Sequence, residues 1–171
     1  MKKLALATIL AMCALNVHAE HGYTEIFGTV ESRCMIVSET AGVYGNPTPN
    51  VLTTDPASGG VKPVIRYDVI NAEFYKARIM YPTYFSSAPY LDDVVEWTGS
   101  VKVSEVSDAG MSDYDTNKVE YNNVTEYDLT IAGSTWFEIT SAADYGYNKS
   151  YPAGNYNAVV EAECIPLYSY F

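Results

Sequence analysis

The chain has 171 residues, 21 of them acidic against 10 basic, and a net charge of −11 with the basic side chains scattered along its length. A surface this acidic repels phosphate backbones and anionic lipid headgroups, so no nucleic-acid partner is expected. Sixteen tyrosines against two tryptophans, and only three cysteines, complete the unusual features of the composition.

Residues 1–20, MKKLALATILAMCALNVHAE, have the three parts of a secretory signal. Lys2 and Lys3 are charged, Leu4 to Leu15 are apolar, and Val17-His18-Ala19 is a small-x-small-like cleavage site. The apolar run falls short of the roughly 20 residues that span a bilayer, and no second run follows, so no integral membrane association is expected. Leu10-Ala11-Met12-Cys13 faintly resembles a lipoprotein box, but Met12 occupies the place of a small residue. Cleavage after Ala19 is therefore expected, with lipidation of Cys13 as the alternative. Cleavage would leave a single domain at 20–171, of 152 residues, and would move the net charge to −13.

Cys34 and Cys164 then remain. Two cysteines in an exported chain most often pair as one disulfide; the alternative is two separate thiols, and C-x-x-C redox spacing is absent. The pair would close a loop of about 130 residues, worth on the order of 4–5 kcal/mol in the chain-entropy model.

Beyond residue 20 no stretch sustains a 3.6-residue period. Short runs rich in Val, Ile, Thr, Tyr and Phe alternate in polarity and are cut by Gly, Pro, Asn and Asp. They predict strands at about 24–31, 33–39, 62–70, 73–81, 93–98, 100–107, 118–121, 125–132, 134–140 and 155–165. Tyr127, Leu129 and Ile131 share a face; Val101 and Val103 share another, and Val106 breaks that alternation. The segment 42–60, rich in Gly, Pro, Asn and Thr, argues against both helix and central strand. Eight to ten short strands without crossover helices predict an all-β fold, a single Ig-like or Greek-key β-sandwich.

Catalytic chemistry has few places to stand. After cleavage the only histidine is His21, at the new N-terminus, so histidine-based triads and zinc sites lack a base or ligand. Asp92, Asp93, Glu96, Asp113 and Asp115 could supply a carboxylate pair, but such runs are ordinarily solvated surface. Asp113, Asp115 and Asn117 have the alternating oxygen spacing of a calcium loop, which makes Ca²⁺ the one candidate cofactor. Its sixth and twelfth positions, where Gly and Glu belong, are Lys118 and Val124, so a plain polar loop is the competing reading. Otherwise no cofactor is expected.

The tyrosines suit half-buried strand positions. Those in loop clusters, Tyr81, Tyr84, Tyr90, Tyr145, Tyr147 and Tyr151, are also candidates for a recognition surface, because tyrosine supplies large, rigid contact area. The sequons at Asn123 and Asn148 read as accidental in a bacterial-style exported chain.

The closing PAGNYNAVVEAECIP, with a Pro-Ala-Gly-x-Tyr turn before an alternating strand, resembles the last strand of exported bacterial fimbrial and spore-coat-U-like subunits. That resemblance implies a helix-poor sandwich with one disulfide that polymerises or attaches cells to surfaces. Two departures stand out. Cys34 and Cys164 lie at opposite ends of the chain rather than in the N-terminal half, and residues 20–25 do not form an alternating apolar strand. VYGNPTPNVLTTDPASGGV, VIRYDVINAEFYKA and SDAGMSDYDTNKVEYNNVTEYDLTIAG also resemble small secreted proteins of marine microbes and of viruses of marine cyanobacteria, which carry no known activity.

In the last strand Tyr156, Ala158, Val160, Ala162 and Cys164 should face the core and Asn157, Glu161 and Glu163 the solvent, with Pro166 ending it. The aromatic tail 167–171 has no role assigned by this pattern. The expected function is an exported, non-enzymatic structural or adhesive surface protein, self-assembling as a fimbrial or coat-like subunit. The alternatives are a monomeric module binding a surface glycan or protein, a virion-associated protein, and an enzyme with a carboxylate pair.

Overall fold

Strict alternation along residues 133–145 makes the longest strand and the spine of the molecule. In the computed structural model, which describes residues 33–70, 75–108, 110, 119–120 and 124–167, strand β9 (Gly133–Tyr145) buries Thr135, Phe137, Ile139, Ser141, Ala143 and Tyr145. The side chains between them point to the opposite face, as a two-residue period requires. Strand β6 (Val95–Val106) pairs along the whole of one edge of β9. The other edge is shared by β4 (Val64–Ile70) and the short β3 (Val51–Thr53). Strands β1 (Arg33–Thr40), β2 (Gly45–Thr48) and β7 (Val119–Glu120) extend this into a seven-stranded antiparallel sheet.

A second antiparallel sheet, ordered β10–β5–β8, consists of β5 (Tyr75–Met80) between β8 (Val124–Leu129) and β10 (Glu161–Pro166). The two sheets form an all-β sandwich whose core joins Tyr67, Phe137, Ile139 and Val101 of the large sheet to Ala77, Ile79, Tyr127 and Leu129 of the small one. Two core tyrosines bridge the layers in opposite directions. Tyr67 Oη donates to the Arg78 carbonyl (3.1 Å) and Tyr127 Oη to the Val101 carbonyl (3.2 Å). Each buried hydroxyl thus has the partner that burial demands, and burial pushes the Tyr67 phenol well above its ordinary range.

Cys34 and Cys164 form the expected disulfide, with 130 residues between them in sequence. It joins β1, at one end of the large sheet, to the edge strand β10 of the small one. Along β10 and the chain before it, Tyr156, Ala158, Val160, Ala162 and Cys164 are half-buried, whereas Asn157, Val159, Glu161 and Glu163 are exposed, as the alternation predicts. Ladder pairing starts only at Glu161. In residues 155–160 the Asn157–Ser87 bridge is the one strand contact among the described residues.

Two expectations change. The strands at 93–98 and 100–107 are one strand, because Gly99 is a close approach and not a break. A Cβ there would lie 2.3 Å from the Thr140 carbonyl oxygen. The register slips between Val103 and Glu105, and this bulge accounts for the phase change before Val106. The segment 42–60 contains β2, β3 and a single 3₁₀ turn at Pro56–Ser58. Pro47 is tolerated because β2 is the last strand on its side of the sheet, and Asn46 Nδ2 straps the hairpin by donating to the Thr48 and Val51 carbonyls. The signal segment with Cys13, the strand at 24–31, Asp113, Asp115 and Asn117, and residues 168–171 lie outside the described residues. Among those described, no helix is long and apolar enough to cross a membrane.

Candidate functional site

The small sheet covers only part of the inner face of the large one. Where β9 runs on through Ser141, Ala143 and Tyr145, the cover is made of loops. Small side chains at Ser141 and Ala143, both buried, leave room for an aromatic cluster from residues 81–94 and 146–157. Phe85 is its hub. Its ring centroid lies 4.8 Å from Trp97, 5.2 Å from Tyr156, 6.0 Å from Tyr151 and 6.4 Å from Tyr44. Tyr151 stacks on Tyr145 at 5.1 Å, and its hydroxyl donates to the Ala143 carbonyl. Edge-to-face pairs of this kind contribute about 0.5–1.5 kcal/mol each beyond area burial.

Both loops are fastened. Ser86 N–H donates to the Asn157 carbonyl at 2.8 Å, and Asn157 N–H donates to the Ser87 carbonyl at 2.8 Å. A Cβ at Gly154 would lie 2.5 Å from Pro89 Cγ, so the Pro-Ala-Gly turn serves as a close-fitting seat for the first loop. Asp92 binds the Tyr145 hydroxyl and forms an ion pair with Lys149 at 3.1 Å. The Tyr145 hydrogen bond and then Lys149 hold the Asp92 carboxyl below the usual aspartate range, and Lys149 is raised in return. A carboxylate engaged in this way stays ionised near neutrality and serves as an anchor, not as a proton donor.

Between the first loop and the start of β6 lies an open groove of about 610 Å³, lined by Tyr84, Phe85, Pro89, Leu91, Val94 and Trp97 among others. Large apolar groups stand exposed on it and beside it: Tyr84 is 69% exposed, Val94 74% and the neighbouring Tyr90 88%. Three of these within a few residues are unusual on a small domain, where apolar patches mark interaction sites.

The six tyrosines singled out in the sequence therefore separate. Tyr84 and Tyr90 stand at the groove, and Tyr147 is exposed on the Gly146–Lys149 turn. Tyr81 is buried in the core between the sheets, Tyr145 is buried and Tyr151 half-buried in the aromatic cluster, so none of these three rings offers a free face. The sequence placed Phe85 in the cluster with Tyr81 and Tyr84 without marking it as a site residue, and Val94 and Trp97 were passed over. The available signal was Phe85 directly after Tyr84 and Trp97 in phase with the core positions Val101 and Val103. Among the described residues no group of three His, Cys, Asp or Glu side chains could hold a metal ion, while the calcium candidates lie outside them. No family model, curated protein or solved structure matches this chain.

Proposed function

We propose that the chain is an exported, non-enzymatic adhesive surface protein that holds its partner in the aromatic groove. The observation that carries this reading is the exposure of Tyr84, Tyr90 and Val94 beside an open groove lined by Phe85 and Trp97. Rigid fastening of the loops supports it, because a preorganised site loses less entropy on binding. The signal-like leader, the disulfide and the engagement of Asp92 as an anchor support the exported and non-enzymatic parts.

The test is a panel of immobilised glycans and peptides probed with the purified chain and with Tyr84→Ala and Val94→Asp variants. Signal that disappears in both variants while their melting temperatures stay unchanged supports the groove; equal signal from all three proteins overturns it. Export is checked by N-terminal sequencing of the secreted product, which should begin at Glu20.

A second reading, self-assembly, is favoured by β1, which ends the large sheet among the described residues and exposes Met35 (40%) and Ile36 (39%). Strand edges of this kind invite pairing. Sedimentation equilibrium should then give a mass above the monomer that Met35→Lys returns to it; a monomer at all concentrations removes this reading.

A further inference from the structure

We propose that the occupant of the groove is a polypeptide segment, extended and basic, that lies along the edge of β6 at residues 95–99, which has no neighbour among the described residues. This rests on the groove reading given above and specifies its ligand. Three observations favour an extended peptide.

The first is the lining. Pro89, Leu91, Val94, Val95 and Trp97 supply apolar side chains to a lining that also holds Thr83, Ser86 and Ser87, and the Ser86 hydroxyl is already spent on the Asn157 carbonyl at 3.1 Å. Apolar side chains of a peptide would be desolvated well against these groups, while the remaining hydroxyls beside them can meet its polar backbone.

The second is the backbone. Strand β6 pairs with β9 from Val95 onward, but on its other side the described residues give it a neighbour only at Ser100 and Val101, through β7. Among the described residues the ladder groups of Val95 to Gly99 therefore have no neighbour on that side, beside the groove that Val95 and Trp97 line. An added strand satisfies such groups and takes its register from them.

The third is charge. Asp92, Asp93 and Glu96 are exposed next to the groove, and Lys149 balances only Asp92. Glu96 alternates with Val95 and Trp97 and so points to the other face of the strand. A segment alternating apolar and basic residues would match both faces at once. Anionic ligands are repelled there.

The test uses tryptophan emission, since the chain has only Trp97 and Trp136. In a Trp136→Phe variant the signal comes from Trp97 alone. The probes are acetyl-Val-Lys-Val-Lys-Val-Lys-amide, the same peptide methylated at alternate backbone nitrogens, its Val-Glu counterpart, and cellohexaose. Saturable change in Trp97 emission is expected with the Val-Lys peptide, weakened about tenfold by N-methylation and about tenfold by Tyr84→Ala, with no response to Val-Glu. Isothermal titration of the unsubstituted chain repeats the comparison if Trp136→Phe folds poorly. Equal affinity for the methylated and parent peptides overturns strand addition. Cellohexaose binding without peptide binding overturns the inference and leaves the groove reading standing; silence from every probe overturns both.

Discussion

Asp92 shows how one exposed carboxylate can organise a loop. It gathers the Tyr145 hydroxyl and the Lys149 ammonium, and so ties the groove loop to the turn after β9. Its carboxyl sits below the ordinary value of 3.8, so this contribution is present above that pH and is lost as pH falls through the lower folded value. Lys149 and Tyr145 are shifted upward, Asp92 being the main cause for each, so on the alkaline side the contribution is lost as pH rises past their ordinary values. The melting temperature of the unsubstituted chain should therefore exceed that of Asp92→Asn near neutrality, and the gap should close on acidification below the aspartate range. A gap that stays constant with pH would remove the ionic account. The interlayer tyrosines give a second test at this scale: Tyr127→Phe removes the bond to the Val101 carbonyl and should cost about 1 kcal/mol in urea denaturation.

Among the elements, β6 carries the most specific requirements. Strand propensity alone favours replacing Gly99 by alanine, but the Cβ would meet backbone, the Thr140 carbonyl oxygen, at 2.3 Å. Backbone cannot swing aside as a side chain can, so Gly99→Ala should destabilise by about 1–3 kcal/mol in spite of propensity. The same denaturation measurement gives the sign directly. The edge strands β1 and β10 are the other sensitive elements, because each has a single ladder neighbour among the described residues. Their disulfide closes a loop of 130 residues, and the Cys34→Ala/Cys164→Ala double variant should lose on the order of 4–5 kcal/mol in guanidinium unfolding. The charged outer face of β5 adds little by comparison. Arg78 lies between Glu126 and Glu163 on exposed surface, where ion pairs are worth about 0–1 kcal/mol.

At the scale of the molecule the decisive feature is an unequal sandwich. Three strands cannot cover seven, and the uncovered stretch of β9 and β6 is roofed by aromatic loops. That roof is both a second core and the support of the groove. Phe85→Ala removes the hub of the cluster and, at a half-buried position, should cost about 1–3 kcal/mol, with loss of groove binding as well. Tyr84→Ala, at an exposed position, should remove binding and leave the melting temperature unchanged. Thermal unfolding run beside the binding panel separates the two, and equal stability losses in both variants would contradict the distinction between roof and contact surface.

The all-β class, the disulfide and most strands were legible in the sequence because they depend on local period and on cysteine count. Tyr127 with Leu129, and Val101 with Val103, show the alternation that any half-buried strand must have. The inward face of the last strand was legible for the same reason: a slip of one residue would bury Glu161 and Glu163. The continuation of β9 through Ser141 and Ala143 was not legible, since small residues have no strand signature of their own. They are small because Trp97 and the loop aromatics pack where larger side chains would stand, and that is known only once β6 and the loops are in place. The same holds for the site. Composition marked tyrosine as the residue of interest, but each tyrosine's role depends on distance from the sheet, so Tyr81 and Tyr145 became core while Tyr84 and Tyr90 remained at the surface. Period and composition determined what the strands are made of; only the mismatch in size between the two sheets decided where a groove could open.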